Sequence, residues 1–327
     1  MTTSFAPRMV TDLPWQKRDT ARHLLSLSDV GPENLLLLVD RSLEIATRGP
    51  SVPPLIGKTV GIYFKRTSTR TRTAFTVAAI KLGATPIAYG PNDLQICTGE
   101  TIEDTARVLA GYLDALVVRT NESIDEMRAF ASQNEMAIIN AMGDAEHPTQ
   151  AIADLVTIKE IYGRLQGVEV LYVGEGNNSA QALARAVSLT PGMRLVLLTP
   201  EGYGLQPSVL ERLHGLCLQS GSVIEQRHDI SSLRDKFDVV YTTRWQTMGD
   251  PKPDKHWKEK FKPYSVTQEF MQRFSRNEGT VFMHDLPAVR GEDVVDEVLD
   301  GPQSVAFRQA QHKLTSAMAV LEWCVKL

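Results

Sequence analysis

Residues 64–75 read Phe-Lys-Arg-Thr-Ser-Thr-Arg-Thr-Arg-Thr-Ala-Phe, a polar run between two apolar segments. The segment before it, residues 58–64, is β-branched and aromatic and predicts a buried strand. The segment after it has apolar residues at helical spacing, and Gly83 stands where such a helix would end. The polar run therefore lies on a strand-to-helix loop, with Ser68 or Thr69 as the helix N-cap.

This loop brings hydroxyls, backbone N–H groups and guanidinium groups to one helix start. Arg70 and Arg72 fall near the first turn, where the helix dipole favours a negative charge rather than a cation. The pattern therefore predicts an anion site, most simply for phosphate. The alternative is a solvated turn whose arginines pair with carboxylates elsewhere.

Length and composition describe an ordinary globular chain. Its 327 residues predict about two domains, and 43% are apolar and 23% charged. A net charge of −4 gives no reason to expect a nucleic-acid partner.

Several sequence features bear on compartment and redox state. The longest purely apolar run, residues 35–39, is too short to span a bilayer, and residues 1–7 lack the blocks of a signal peptide. We therefore expect a cytoplasmic chain without a membrane partner, and residues 1–20 as a loosely docked arm. The three widely spaced cysteines indicate neither a disulfide framework nor a thiolate metal site.

Short apolar strands alternate with amphipathic helices along most of the chain, which predicts parallel sheets built from βαβ units. Strands are predicted at 58–64, 84–89, 113–119, 137–140, 168–173, 194–198, 222–227, 237–242 and 280–283. Helices are predicted within 24–47 with a break at Gly31-Pro32, after residue 73, from Thr101, at 148–162, up to about 189, and at 305–325.

We therefore predict an α/β protein with two doubly wound parallel-sheet domains joined by helices, and an active site in the cleft between them. The first domain is placed at residues 1–147, with the C-terminal helix 305–327 packing back on it, and the second at 148–304. Residues 245–264, rich in proline and charge, are predicted to form a long functional loop.

Two further features add candidate ligand-binding groups. In His147-Pro148-Thr149-Gln150, an imidazole and an amide lie near one proline-started helix N-terminus, where both can bind a carbonyl oxygen. Arg119 ends a strand at the sheet edge where ligands bind. The alternatives are a capping histidine with a surface glutamine, and a surface salt bridge.

Residues 174–178, Gly-Glu-Gly-Asn-Asn, partly match a dinucleotide-binding loop. Ser179 stands in place of the third glycine and no acidic residue ends the next strand, so the signal for a nucleotide-dependent oxidoreductase is weak.

The Ser-Thr-Arg-Thr-Arg run and the His-Pro-Thr-Gln motif resemble two signatures of the aspartate and ornithine carbamoyltransferases. The resemblance extends over nearly the whole chain and is closer to the ornithine enzymes. It implies transfer of a carbamoyl group from carbamoyl phosphate to an amino-acid amine, without metal or cofactor, in a homotrimer or a multiple of one. It also implies a carbamoyl-phosphate-binding first domain and an acceptor-binding second domain.

Carried over residue by residue, the resemblance assigns the donor site. The phosphate would be bound by Ser68, Thr69, Arg70 and Thr71, and the site would be completed by Arg119, His147 and Gln150. Arg119, His147 and Gln150 are also expected to be catalytic. Gln95 falls in the loop that reaches the neighbouring subunit in this family.

The acceptor region mixes features of both subfamilies. The 174–178 loop is similar to the Gly-Asp-Gly-Asn-Asn loop of the ornithine enzymes, which implies that Asn177 and Asn178 bind the amino-acid carboxylate; alternatively, both only form a turn. Thr243 and Thr247 stand where ornithine enzymes have aspartate and serine, the latter before Met248.

Arg244 and Gln246 instead match a pair in the aspartate enzymes, and Arg244 could hold a carboxylate through two hydrogen bonds. In His284-Asp285-Leu286-Pro287, Asp285 replaces the cysteine or proline of the family. It would attract an ammonium group and take its proton, or else only cap the turn. The resemblance puts Leu286 against the carbamoyl group and gives Lys313 the place of an arginine.

The expected reaction is carbamoylation of ornithine to citrulline, as in arginine biosynthesis. The departures at Thr243, Arg244, Gln246 and Asp285 keep another acceptor open, such as 2,3-diaminopropionate or an ornithine derivative with an extra carboxylate. A non-catalytic relative that binds carbamoyl phosphate is the remoter alternative.

Overall fold

The computed structural model describes residues 21–49, 53–120, 122–246 and 252–325. The predicted arm at 1–20 lies outside the described residues, as does the segment 247–251 of the predicted long loop.

The first part of the chain alternates helices and strands around a four-stranded sheet. Its elements are α1 Leu27–Arg48, β1 Thr59–Phe64, α2 Arg70–Lys81, β2 Thr85–Tyr89, α3 Ile102–Leu109, β3 Ala115–Arg119, α4 Ile124–Phe130, β4 Ala137–Met142 and α5 Pro148–Tyr162.

The second part builds a five-stranded sheet and ends in a long helix. Its elements are β5 Glu169–Val173, α6 Asn178–Ser188, β6 Arg194–Leu198, α7 Pro207–Ser220, β7 Val223–Arg227, β8 Val239–Thr242, α8 Trp257–Phe261, α9 Gln268–Phe274, β9 Val281–His284, α10 Asp296–Leu299 and α11 Ala306–Cys324.

All strand pairs in both sheets are parallel, in the orders β2-β1-β3-β4 and β7-β6-β5-β8-β9. Each sheet therefore reverses its winding direction once, between β1 and β3 in the first and between β5 and β8 in the second. The carboxyl ends of strands at such a switch point form a crevice where ligands bind. The loops after β1 and β5 are the two polar loops singled out from the sequence.

Two helices join the domains. Residues 148–158 of α5 are buried on every side, because α1, α6, α11 and β4 pack around the helix. Helix α11 packs against α1, α2 and α5, so the end of the chain returns to the first domain. One continuous apolar cluster consequently runs from Leu24 through both domains to Val325.

The predicted fold class is confirmed, and so are the predicted strands and helices, with ends shifted by a few residues. Helix α5 begins and ends where predicted, and the helix before the first strand is interrupted at Gly31, whose φ is 76°. Helices α4, α7, α8, α9 and α10 were not predicted. In the part of the chain that the structure describes, no helix is long and apolar enough to cross a membrane.

One local prediction was wrong. The stretch 245–264 is not one long loop, since it contains α8 and a 3₁₀ turn at Lys262–Tyr264 that bury Trp257 and Phe261. The predicted N-cap of α2 is confirmed at Thr69, although the backbone of Thr69 is already helical and its side chain makes no capping hydrogen bond. Instead, Ser68 Oγ accepts from Arg72 N at 3.3 Å.

Candidate active site

A cleft of about 510 Å³ lies between the two domains, where both switch points face each other. It is lined from the first domain by the loop after β1 and the ends of β3 and β4, and from the second by the loops after β5, β8 and β9. The predicted site residues that line it are Ser68, Thr69, Arg70, Thr71, Arg119, His147, Gln150, Asn177, Asn178, Thr243, Arg244, Gln246, Asp285, Leu286 and Lys313.

Three predicted residues are not placed in this cleft. Gln95 is exposed at the start of a 3₁₀ turn and accepts from Thr98 Oγ1 at 2.7 Å, so it does not reach the cleft of its own chain. Thr247 and Met248 lie outside the described residues.

The loop after β1 presents cations at the start of α2. Arg119, at the end of the neighbouring strand β3, is buried, and its Nη1 lies 3.5 Å from Thr71 Oγ1. Burial lowers the pKa of Arg119 to about 10, and the nearby Arg70 contributes to this shift. Arg119 Nε is a buried donor without a hydrogen-bond partner among the described residues. Two converging guanidinium groups with an unused donor favour an anionic ligand.

The start of α5 adds uncharged groups beside these cations. His147 is buried, and its pKa lies well below the usual value because of burial and then because of Lys313 and Arg119. Its imidazole is therefore neutral at neutral pH, with one donor and one acceptor nitrogen. Gln150 accepts a hydrogen bond from Lys313 Nζ. Burial lowers the pKa of Lys313 to about 8.

Asp285 faces these groups from the second domain. Its carboxylate accepts from Ser179 Oγ at 2.8 Å and from Thr243 Oγ1 at 2.9 Å. The turn is capped by the neighbouring residue instead, because His284 Nδ1 accepts from Leu286 N at 2.8 Å. The capping alternative for Asp285 is therefore wrong, and two hydroxyl donors orient its carboxylate.

Asn177 and Asn178 have different local roles. Asn177 Oδ1 caps α6 by accepting from Ser179 N at 3.0 Å and from Ala180 N at 3.1 Å. Asn178 Nδ2 donates to Gly143 O at 3.1 Å, which ties the second domain to the first. Both side chains line the cleft, so the Asn177 amide nitrogen and the Asn178 amide oxygen are left for a ligand.

Arg244 lines the same wall and is partly buried, and its guanidinium has no hydrogen bond or ion pair within the described ranges. Behind this wall, Lys252 is paired with Glu175 and lies 5.1–5.3 Å from the ring centres of Tyr203, Trp257 and Phe261. The aromatic cluster thus binds the ammonium group of Lys252 beside the loop of residues 174–178.

Sequence reasoning missed several residues of the cleft, namely Lys65, Arg66, Thr67, Met142, Ser179 and Pro287. Ser179 could have been found, because it follows the two asparagines directly. It also missed Asp154, four residues after Gln150 on the same face of α5, whose Oδ1 accepts from Gln150 Nε2 at 2.7 Å.

The cleft suits an anion with an adjoining polar group better than a metal ion. Cations and amides predominate in its lining. In the part of the chain that the structure describes, no group of three or more His, Cys, Asp or Glu side chains could hold a metal.

Fold and cleft together define a two-domain α/β protein that binds an anion at one switch point and a second polar molecule at the other. Comparison with protein families agrees with this division. The carbamoyl-P binding domain of aspartate/ornithine carbamoyltransferase matches residues 22–160, and the Asp/Orn binding domain of the same family matches residues 166–324. The chain therefore belongs to the aspartate/ornithine carbamoyltransferase family and is a carbamoyltransferase.

Individual relatives cover nearly the full chain. The ornithine carbamoyltransferase of Oceanobacillus iheyensis is 37% identical over 311 residues, which are 94% of this chain and 95% of the relative. That of Hyperthermus butylicus is 38% identical over 306 residues, 92% of this chain and 96% of the relative. The solved structure of the ornithine carbamoyltransferase from Pyrococcus furiosus superposes with a TM-score of 0.86 at 36% identity, covering 93% of this chain and 97% of that one.

Proposed function

We propose that this protein transfers the carbamoyl group of carbamoyl phosphate to the side-chain amine of ornithine, giving citrulline and phosphate. The observation that carries the proposal is the convergence of Arg70, Arg119, His147 and Gln150 on one wall of a cleft, with Asp285 on the other. Relatives named ornithine carbamoyltransferase along nearly the whole chain support ornithine as the acceptor.

The donor binds to the first domain. Its phosphate is held by the start of α2, with Ser68, Thr69 and Thr71, and by the guanidinium groups of Arg70 and Arg119. The buried Arg119 Nε supplies a donor that a phosphate oxygen can satisfy. The carbamoyl group then lies toward the start of α5, within reach of His147 and Gln150.

In the chemical step, the amine nitrogen forms a bond to the carbamoyl carbon and the bond from that carbon to the phosphate oxygen breaks. Neutral His147 donates a hydrogen bond to the oxyanion that develops on the carbonyl oxygen, and the nearby cations stabilise its charge. The departing phosphate keeps the electron pair of the broken bond, takes up the proton that the attacking nitrogen loses as the intermediate collapses, and stays bound to Arg70 and Arg119. Asp285 holds the incoming ammonium group and takes its proton, because only the neutral amine is a nucleophile.

The acceptor's carboxylate binds the free amide groups of Asn177 and Asn178. The backbone at Leu286, directly after Asp285, contacts the carbamoyl group. One observation favours a second acceptor class. The Arg244 guanidinium on the cleft wall has no hydrogen-bond or ion-pair partner among the described residues. It would pair with an extra carboxylate on an ornithine derivative. A shorter diamino acid such as 2,3-diaminopropionate is the other candidate acceptor.

The organisation of the protein follows the same proposal. Residues 1–147 with 305–327 form the donor domain, and residues 148–304 form the acceptor domain. A homotrimer, with Gln95 at the site of the neighbouring subunit, and a cytoplasmic role in arginine biosynthesis stay predictions. The sedimentation coefficient of the purified chain tests for a homotrimer. The turnover of Gln95→Ala tests whether Gln95 contributes to the site of the neighbouring subunit.

The deciding experiment is a turnover assay with carbamoyl phosphate and a panel of amines, following both the ureido product and phosphate. The panel contains ornithine, 2,3-diaminopropionate, 2,4-diaminobutyrate, lysine, aspartate and putrescine. Product with ornithine supports the proposal, and product only with another amine replaces the acceptor. Binding of carbamoyl phosphate without any product would leave the chain as a non-catalytic relative.

A further inference from the structure

Asp154 is a buried carboxylate that the reaction described above does not use. It lies on α5, its side chain has no solvent exposure, and it is not part of the cleft lining. Its Oδ1 accepts from Gln150 Nε2 and from Gln309 Nε2, both at 2.7 Å, and its Oδ2 accepts from Tyr241 OH at 3.1 Å. Three elements, α5, α11 and β8, therefore converge on one carboxyl group.

These contacts fix which end of the Gln150 amide faces the donor site. Asp154 Oδ1 can only accept, so the amide nitrogen must face it. The Lys313 ammonium can only donate, so the amide oxygen must face Lys313 and the cleft. The reversed amide would put N–H groups against an ammonium and a carbonyl against a carboxylate.

The arrangement does not depend on whether Asp154 carries a proton. Burial raises the pKa of Asp154 to about 7. A proton on this group would lie on Oδ2, toward Tyr241, since Oδ1 already receives two amide N–H groups. Oδ1 keeps both amide contacts in either state.

The same carboxylate reaches the acceptor side through Gln309. Gln309 Oε1 accepts from His284 N at 2.9 Å, directly before Asp285. Tyr241 lies on β8, two residues before Thr243. Asp154 thus connects the amide that faces the donor to both strands that carry the Asp285 site.

We propose that Asp154 is a positioning residue that holds the Gln150 amide with its oxygen toward the donor's –NH₂ group, and so selects carbamoyl phosphate over acyl phosphates that lack an N–H. This inference rests on the proposed function. An acetyl phosphate methyl group cannot donate to Gln150 Oε1 and leaves that oxygen without its ligand partner. Sites built to bind an N–H reject analogues that lack it much more strongly than apolar pockets reject a methylene.

The test compares binding of carbamoyl phosphate, acetyl phosphate and inorganic phosphate by calorimetry in the native chain and in Asp154→Ala. We expect the Kd for carbamoyl phosphate to rise about 10- to 100-fold, the effect of one lost or misdirected buried hydrogen bond. The other two Kd values should change less than about threefold. Equal weakening of all three, or no change in any, would overturn the proposal and leave Asp154 with a structural role.

Further variants keep the test decisive. Asp154→Asn can still present its oxygen to both amide nitrogens, so it should retain the selectivity, and Tyr241→Phe should retain it because only Oδ2 loses a partner. Asp154→Ala should add no further loss of selectivity in a Gln150→Leu background.

If circular dichroism shows that Asp154→Ala does not fold, Asp154→Ser, whose side chain is too short to reach the amides, takes its place with the same expectation. A native chain that fails to bind carbamoyl phosphate at all contradicts the proposed function, which is a separate outcome.

Discussion

The two walls of the cleft differ in charge. Among the described residues, the first-domain wall is lined by Lys65, Arg66, Arg70 and Arg119 and by no carboxylate, and Lys313 from α11 adds a further cation. The second-domain wall combines the carboxylate of Asp285 with the guanidinium of Arg244 and several neutral amides and hydroxyls. One wall is thus complementary to a multiply charged anion, and the other to a molecule that carries both signs.

Removing a cation from the first-domain wall should have the largest effect. We expect Arg119→Gln to lower kcat/KM for carbamoyl phosphate by about 10²–10³-fold, because the developing charge and the phosphate lose a buried donor. Steady-state kinetics at saturating ornithine measures this. Arg72→Gln is the matched control, since Arg72 is exposed in the first turn of α2 and outside the cleft lining, and its kcat/KM should stay within about twofold. Equal losses in both variants would contradict the assigned phosphate site.

Removing the negative charge of Asp285 from the second-domain wall should slow turnover without weakening the binding of carbamoyl phosphate. We expect Asp285→Asn to lower kcat by about 10²-fold, the scale of a lost proton acceptor. Carbamoyl phosphate should bind at least as tightly, because a negative charge near Arg70 and Arg119 is removed. Thr243→Val keeps the carboxylate and removes one of its two hydroxyl donors, so its effect should be smaller. A weaker donor affinity in Asp285→Asn would show that this residue serves the donor instead.

Donor binding should depend on pH through Lys313. Its pKa is lowered to about 8, so the ammonium is present below that pH and is lost as the pH rises through it. We expect the Kd of carbamoyl phosphate to rise about tenfold between pH 7.5 and 9, a range above the second phosphate pKa of about 6. Lys313→Arg should flatten this rise, because a guanidinium stays charged throughout. A flat profile in the native chain would exclude Lys313 as the titrating group.

Arg244 should have the smallest effect, and one confined to the acceptor. We expect Arg244→Ala to raise the KM for ornithine about 3- to 10-fold, because its guanidinium lines the same cleft as Asn177 and Asn178 and attracts the carboxylate that they bind. The KM for carbamoyl phosphate should stay unchanged. Arg212→Ala, on the exposed part of α7, is the control. An unchanged acceptor KM together with an unchanged kcat/KM would mean that Arg244 does not hold a carboxylate. A larger loss with a substrate bearing an extra carboxylate would identify the second acceptor class.

The sequence predicts the first-domain wall better than the second for a physical reason. Residues 68–71 and 147–150 are short contiguous runs at helix starts, where local backbone geometry alone orients the side chains toward one point. The contacts of Asp285 involve Thr243 and Ser179, which are 42 and 106 residues away along the chain. Only the pairing of β5, β8 and β9 brings them together, and no local pattern records that pairing.

The elements that were missed have a related explanation. Asp154 is a single polar residue on a helix that is buried on every side, so its place in the pattern does not distinguish a structural from a functional group. Residues 245–264 contain prolines and charges that are typical of loops, yet Trp257 and Phe261 pack with Trp245 and form a short helix over it. Tertiary packing prevails there over local composition.

The return of α11 to the first domain has a consequence for how the protein is made. Ribosomes deliver α1, α2 and α5 well before α11, yet α11 packs against all three of these helices. A growing chain usually folds its N-terminal domain first, but here that domain stays uncovered along one side until residues 306–324 emerge. Lys313 arrives with them, so a nascent chain has no complete anion site. The anion site is therefore completed only after α11 has been made.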